Sequence, residues 1–384
     1  MTRWIAATGA FVVSLDSTVN VAFPAMAAAF AIPPERVRWV IIAYVFSYAI
    51  TSFVAGALAD RVGHGRVFRA GLAFSASAFL LAGIAPTFGW LLVARVVQGL
   101  GGGWVYGTAP GIVTLIATPE TRGRALGFLN AGMGLGFSAG PLIAGVLVGV
   151  FGWPSIFLVR LPLPLVALAW AVSARTAAPA PPAARLVAAR DVLRAPVLLA
   201  GAQSFVANAA VFAIWLLAPF YLVASRGLSV FAAGLLFTLT PLGTTLAAPV
   251  AGRLADRIGV RGPVVAGLAI EALGLLLMSR ADPSTRLEVV ALALLAAGFG
   301  VGLFQVTNMT QIMAAFASAQ QGAAGGFAFL SRTLGVVAGV TALAQLFAVR
   351  RLAVGLGPAA AEAFLVAGLT VALAAAAASL MRPR

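Results

Sequence analysis

The first apolar run of the chain, WIAATGAFVVSLDSTVNVAFPAM, carries an aspartate at its middle, Asp16, with Asn20 one helical turn further on. A carboxylate at the centre of a membrane helix costs roughly 3 kcal/mol to insert, so it faces a partner or a wet cavity. Asp16 and Asn20 are spaced i, i+4 and share one face of a helix. Three kinds of chemistry fit: a carboxylate that takes up and releases a proton, a counter-charge for a cationic small molecule, or a structural hydrogen bond to a neighbouring helix. In the fourth run, LLVARVVQGLGGG, Arg95 and Gln98 lie one turn apart on the same side, and a cation inside a span points to an internal role. Glu271, near the middle of the ninth run, is a second proton site, a partner for an arginine, or a neutral buried acid. Arg160 and Arg332 are further cations near or within spans. The proton-handling candidates are therefore Asp16, Arg95 and Glu271.

Uncharged polar groups inside other runs are candidates for lining a cavity. They are Asn20, Tyr44 and Tyr48 (with Thr51), Gln98, then Asn208 and Trp215 with Ser204, and Gln305 and Asn308 within a cluster that includes Thr307, Thr310 and Gln311; Arg332 joins this set. Aromatic packing and interhelical hydrogen bonding are the competing readings of the same residues.

Composition sets the class. The chain is 62% hydrophobic and 9% charged, against roughly 25% charged in a soluble domain. Twelve apolar runs, near 4–28, 36–59, 67–85, 88–116, 124–150, 153–174, 197–224, 229–252, 262–280, 287–316, 322–349 and 359–380, are each long enough to cross a hydrocarbon core of about 30 Å. There is no cysteine and a single histidine, His64, so a thiolate or His-cluster metal site is excluded. All 25 basic residues are arginine. Without lysine there is no Walker A loop and no Schiff-base lysine, which argues against ATP hydrolysis and against an enzyme. No cofactor and no metal are expected.

The formal net charge of +15 is read as topology, not as nucleic-acid binding. With the N-terminus inside, fifteen arginines fall on the cytoplasmic side, against seven on the outer side (Arg36, Arg38, Arg226, Arg280, Arg286, Arg350 and Arg351). Both termini are then cytoplasmic, in a multi-pass protein of the plasma membrane. The lipid bilayer, a small-molecule substrate and protons are the expected partners, and the chain is expected to act as a monomer.

One charged loop occurs twice. Gly56, Asp60, Arg61 and Gly63, in GALADRVGHGR, recur as Gly252, Asp256, Arg257 and Gly259, in GRLADRIGVR, at one constant offset close to half of the 384 residues. A repeat at that period means two copies of one unit. The fifth run carries a nearly side-chain-free strip, Gly127, Gly132, Gly136, Gly140 and Gly145, interrupted by Pro141. The glycines allow close backbone packing, and the proline bends the helix.

These motifs resemble those of the major facilitator superfamily, and specifically of its drug:proton antiporters. Gly56-x-x-x-Asp60-Arg61-x-Gly63 followed by Arg66 is similar to the superfamily's loop between helices 2 and 3. Arg95-x-x-Gln98-Gly99 resembles its helix 4 motif. Gly127, Gly136, Gly140, Pro141 and Gly145 resemble the antiporter motif of helix 5, with Ala144 where glycine is preferred. LDSTVNVAFP, from Leu15 to Pro24, resembles helix 1 of the fourteen-helix drug exporters. The resemblance implies a conformational latch in the repeated loop, proton transfer linked to Arg95, and exporter-type packing by the helix 5 strip.

The chain departs from that pattern in three places. Fourteen-helix exporters have two further helices between the halves, whereas residues 175–196 here are a short Pro- and Arg-rich stretch, read as a cytoplasmic linker. Arg160 stands where the family usually has asparagine. His64 and Gly65 occupy loop positions that are usually basic. The expected fold is an all-α membrane protein of twelve transmembrane helices in two pseudo-symmetric six-helix bundles, residues 1–174 and 197–384, with the substrate site near the midplane. The expected function is proton-coupled efflux of hydrophobic drug-like or natural-product compounds by alternating access. An alternative is a proton-coupled symporter importing an anionic metabolite, and a third is a non-transporting scaffold or sensor.

Overall fold

A computed structural model describes residues 2–32, 34–173, 188–219, 221–222, 226–228 and 230–380. Most of the linker expected at 175–196 lies outside them. Each of the twelve apolar runs is helical. The second to fifth are single helices, Arg38–Val62, His64–Gly83, Phe88–Leu115 and Arg122–Phe151. The seventh and the ninth to twelfth are Ala195–Pro219, Arg261–Ser279, Leu287–Ala315, Gln321–Val354 and Leu356–Leu380. The sixth is divided into Ser155–Leu158 and Pro162–Ser173, and the eighth into Val230–Phe237 and Leu239–Ile258. Ten helices among the described residues are long and apolar enough to cross a membrane. The other two runs are the fourth span, which carries Arg95, Gln98 and a glycine cluster, and the first, which is broken. Helices satisfy every backbone hydrogen bond internally, which is what lipid demands of a spanning segment.

The first span is interrupted at its charged residue. Helix Thr2–Ser14 passes into a 3-10 turn, Leu15–Ser17, then Thr18–Val21, a turn at Ala22, and Phe23–Ala29, with Pro24 in its first turn. Asp16 is the middle residue of the 3-10 turn.

The chain forms two compact units. Unit 1 comprises Met1–Pro119, Gly132–Arg194 and Ile312–Leu330; unit 2 comprises Glu120–Ala131, Ala195–Gln311 and Ser331–Arg384. The beginning of the fifth span thus groups with unit 2, and the beginning of the eleventh with unit 1. In unit 1, Val12, Val19, Met26, Val40, Phe79, Leu91 and Phe157 are among the residues of a buried cluster. The core of unit 2 is built largely of small side chains around Ile214, Leu268, Leu275, Phe304 and Phe364. Large apolar side chains such as Val146, Val150 and Phe151 remain exposed, as a lipid-facing surface requires.

Glycines set how close the helices come. In unit 1, a Cβ on Gly103 of the fourth span would lie 2.9 Å from the carbonyl oxygen of Tyr48 and 3.0 Å from the amide of Ser52, both in the second span. Gly99 and Gly107, one turn to either side, meet the same helix, so the fourth span packs through a small-xxx-small face. The two repeated loops turn on glycines in the left-handed region, Gly63 (φ 97°) and Gly259 (φ 81°), the conformation that an absent Cβ permits.

Gly103→Val is expected to destabilise the purified protein by about 1–3 kcal/mol, the usual cost of overpacking a close contact. Gly89→Ala, at a position with nothing within 4 Å of a new Cβ, should leave it unchanged. Thermal unfolding in detergent compares the two, and equal melting temperatures would contradict the packing described.

Candidate functional site

The break in the first span delivers Asp16 to two arginines. Arg95 grips the carboxylate with both terminal nitrogens, Nη1 to Oδ1 and Nη2 to Oδ2, each at 2.7 Å. This parallel two-bond geometry is the strongest form of the interaction. Gln98 donates to Asp16 Oδ1 at 2.7 Å and accepts from Arg95 Nη1 at 2.6 Å, closing a triangle. Arg95 Nε donates to the carbonyl of Val40 at 2.9 Å, and its guanidinium carbon lies 4.4 Å from the centre of the Tyr44 ring. Arg95 is only 1% exposed. A second cation comes from the link between the two pieces of the sixth span: Arg160 Nη1 reaches Asp16 Oδ1 at 3.4 Å and donates to Thr18 Oγ1 at 3.2 Å. The cluster therefore holds two guanidiniums and one carboxylate, with one positive charge in excess.

The fifth span supports this segment from behind. A Cβ on Gly136 would stand 2.6 Å from the carbonyl oxygen of Phe11, and one on Gly140 would collide with Ser17. Ser17 Oγ donates to the carbonyl of Phe137 at 3.1 Å. The helix 5 strip thus leaves room for the irregular backbone that carries Asp16. Gly127, nearer the start of the same helix, packs in unit 2 instead, where its Cβ would lie 2.7 Å from the carbonyl of Ala248. The helix runs unbroken through Pro141 and Gly145, whose side-chain surroundings lie outside the described residues; so does the side chain of Asn20.

Tyr44 and Tyr48 are stacked, with ring centres 5.8 Å apart. Tyr48 meets the edge of Tyr106 at 5.6 Å, and Tyr106 stacks on Phe329 at 4.8 Å. The Tyr106 hydroxyl is 2.6 Å from Ser14 Oγ. An aromatic column therefore leads away from Arg95 through unit 1. Tyr106 is a member that the sequence reading missed, although Arg95, Gln98, Gly102 and Tyr106 follow helical spacing on one face.

The other polar candidates belong to unit 2. Gln305 donates to Asn208 Oδ1 at 3.2 Å, and Asn208 donates to the carbonyl of Ser204 at 2.8 Å. Asn308 donates to the carbonyl of Ala200 at 3.0 Å, which makes it an interhelical tie. Trp215 packs edge-on against Phe237 at 4.9 Å, and Arg332 is half-buried. Glu271 is fully buried, and neither carboxylate oxygen has a hydrogen-bond partner among the described residues. It is not brought together with Asp16 and Arg95, and the arginine partner allowed for it is not found among the described residues.

Both repeated loops use their aspartate in the same way. Asp60 accepts from the amides of Gly322 (2.7 Å) and Ala323 (2.9 Å), at the start of helix Gln321–Val354. Asp256 accepts from the amides of Gly123 (2.7 Å) and Arg124 (3.0 Å), at the start of helix Arg122–Phe151. Each carboxylate meets the positive end of a helix and satisfies its free amides. The contacts are tight. A Cβ on Gly56 would strike the Gly322 carbonyl, and one on Gly252 would lie 2.6 Å from the Gly123 carbonyl. Arg61 and Arg257 are exposed. The cation beside Asp256 is Arg124, at 3.2 Å, while beside Asp60 stands His64, at 3.4 Å.

Spanning helices, a duplicated loop that caps helix starts, and a buried ion cluster on a broken helix define a multi-pass helical membrane protein of the transporter type. A sequence profile of the Major Facilitator Superfamily matches residues 6–340 and, in a second alignment, 202–384. The chain belongs to that superfamily. It is 27% identical to the riboflavin transporter RibZ of Clostridioides difficile over 88% of this chain and 86% of the relative. It is 28% identical to the multidrug resistance protein Stp of Mycobacterium tuberculosis over 88% of this chain and 74% of the relative. The human organic anion transporter MFSD10 has the same fold, with a TM-score of 0.75 at 16% identity, over 96% of this chain and 98% of that one.

Arg95→Gln removes one side of a buried pair and should cost about 3–5 kcal/mol of stability. The double variant Asp16→Asn/Arg95→Gln should cost less than the sum of the two single changes, because the pair is lost only once. Strict additivity of the three values would show that the two side chains do not interact.

Proposed function

We propose that this chain is a proton-coupled exporter of hydrophobic, drug-like or natural-product compounds that works by alternating access. The observation that carries the reading is the Asp16 cluster: an ion-paired carboxylate on an interrupted membrane helix, where discontinuous spans of transporters bind ions and cargo. Protonating Asp16 means releasing Arg95, and that exchange of partners is the proposed link between proton and conformation. The multidrug resistance name of one relative and the riboflavin transport of another support a broad, flat, largely apolar cargo. Tyr44, Tyr48, Tyr106, Asn208, Trp215, Gln305, Asn308 and Arg332 are the proposed cargo contacts.

In this reading the Arg distribution places both loops, and both termini, on the cytoplasmic face of the plasma membrane. The loops act as latches: the Asp60 and Asp256 caps form when that face is closed and break when it opens. The protein works as a monomer of two six-helix halves joined by the 175–196 linker. A second reading, symport of an anionic metabolite with a proton, is favoured by one observation, the excess positive charge that Arg160 adds at Asp16.

In everted membrane vesicles, Asp16→Asn is expected to abolish ethidium transport driven by a pH gradient while its level in the membrane stays normal. Full gradient-driven transport by that variant would remove Asp16 from the mechanism. Comparison of everted with right-side-out vesicles gives the direction, export in the first reading and uptake in the second.

A further inference from the structure

Arg160 leaves unfilled the hydrogen bonds that its burial calls for. The residue is 3% exposed, and its guanidinium carbon sits 4.3 Å from the centre of the Phe79 ring. Only Nη1 is engaged, with Asp16 and Thr18. Nε and Nη2 are buried without a partner among the described residues. These two groups form one side of the planar guanidinium, where their N–H bonds run parallel and match the two oxygens of a carboxylate. Arg95, by contrast, has Nε, Nη1 and Nη2 all occupied. The charges leave the same vacancy. Among the described residues, Asp16 is the carboxylate that Arg95 and Arg160 face, and the other titratable groups around the cluster are the tyrosines 44, 48 and 106.

A guest would reach this buried edge through a local shift of the segments that carry the cluster. Asp16 is the most exposed charged member of the cluster, its side chain 13% accessible against 1% for Arg95 and 3% for Arg160. It sits in the 3-10 turn Leu15–Ser17, and Arg160 lies in the link between Ser155–Leu158 and Pro162–Ser173. Neither residue lies in the middle of a regular α-helical segment.

We propose that the Nε–Nη2 edge of Arg160 is a subsite for the carboxylate of a transported compound. This deepens the second reading above, symport of an anion with a proton held at Asp16, and rests on it. The cargo carboxylate accepts two hydrogen bonds from Arg160 and competes with Asp16 for its charge. The cargo carboxylate takes up part of the arginine charge that keeps Asp16 ionised, so Asp16 binds a proton from solution more readily than before. Cargo anion and proton therefore favour one another's binding, by the same factor in both directions. A carboxylate-bearing compound travels with the proton, in the symport sense, whereas a neutral compound brings no such coupling.

The test uses the purified full chain in lipid nanodiscs, with 2-naphthoate as probe and 2-naphthamide as its neutral isostere. Naphthoate should bind at least roughly tenfold more tightly than naphthamide. Its Kd should rise between about pH 6 and 8, where the probe stays ionised, and binding should draw protons from a weakly buffered solution. Arg160→Gln should weaken naphthoate binding tenfold or more. Asp16→Asn, which removes the competing carboxylate, should strengthen it and flatten its pH dependence, an outcome that a merely structural role for these residues would not give. Equal binding of the two probes, or unchanged naphthoate affinity in Arg160→Gln, would overturn the subsite. A pH-independent affinity in the unmodified protein would overturn its coupling to Asp16. Displacement of naphthoate by chloride at physiological concentration, with ionic strength held constant, would assign the edge to an inorganic ion and overturn the carboxylate. These are equilibrium measurements, so failure of gradient-driven ethidium transport would count against the exporter reading alone.

Discussion

A carboxylate taken out of water has to be met by a cation and by enough hydrogen bonds to replace its hydration. Much of unit 1 follows from meeting that demand at Asp16. The guanidinium of Arg95 supplies two of the bonds and Gln98 a third, and Arg95 is itself held by the Val40 carbonyl and the face of Tyr44. Four spans thereby converge on one side chain: the first, the second, the fourth and, through Arg160, the sixth. The glycines of the fourth and fifth spans make this possible, because bulkier residues would hold the helices too far apart for bonds of 2.7 Å. Packing and electrostatics are one problem here, solved by leaving side chains out.

The repeated loops apply the same physics more cheaply. Asp60 and Asp256 each find a helix start, where free amides and the helix dipole meet a carboxylate without needing a full counter-charge. The two junctions are not equal. Asp256 has Arg124 beside it, and that arginine is 59% exposed in its side chain, so screening keeps its contribution small. Asp60 has His64, buried in the space opposite Gly111, where any Cβ would lie 2.5 Å from Nε2. The unusual histidine of the first loop is thus fitted into the helix junction, where a longer basic side chain would have to turn outward.

How much of this could be read from the residues alone differs between levels. The twelve runs were legible because span length and backbone satisfaction leave no alternative to helices. The loop repeat was legible because its glycines and aspartates recur with fixed spacing. Asp16, Arg95, Gln98 and Arg160 each stood out as polar groups in apolar runs. That they meet was not legible: Asp16 and Arg95 are separated in the chain by two complete spans, and periodicity gives a face but not the neighbour. In a soluble bundle the apolar stripe would say which face turns inward. In lipid both faces are apolar, so Tyr106 looked no different from packing, and the spacing gave no sign that Asn308 donates to the Ala200 carbonyl of another helix. Glu271 shows the opposite limit, a charge whose sequence position suggested chemistry and whose surroundings offer no partner among the described residues.

The duplication itself separates the repeated loops from the ion cluster. Carried along the offset that relates the two loops, Asp16, Arg95 and Arg160 fall on Phe212, Ala291 and Leu356. The capping loop is present twice and, among the described residues, the ion cluster once. Free amides at a helix start need an acceptor in either half of the chain, so a capping loop is useful twice. A buried ion cluster answers no such general need. Burying a second set of ionised groups would repeat the desolvation cost, and the second copy has apolar residues at the equivalent positions. Sequence symmetry in this chain therefore marks the loops that cap helix starts, and its absence marks the buried ion cluster.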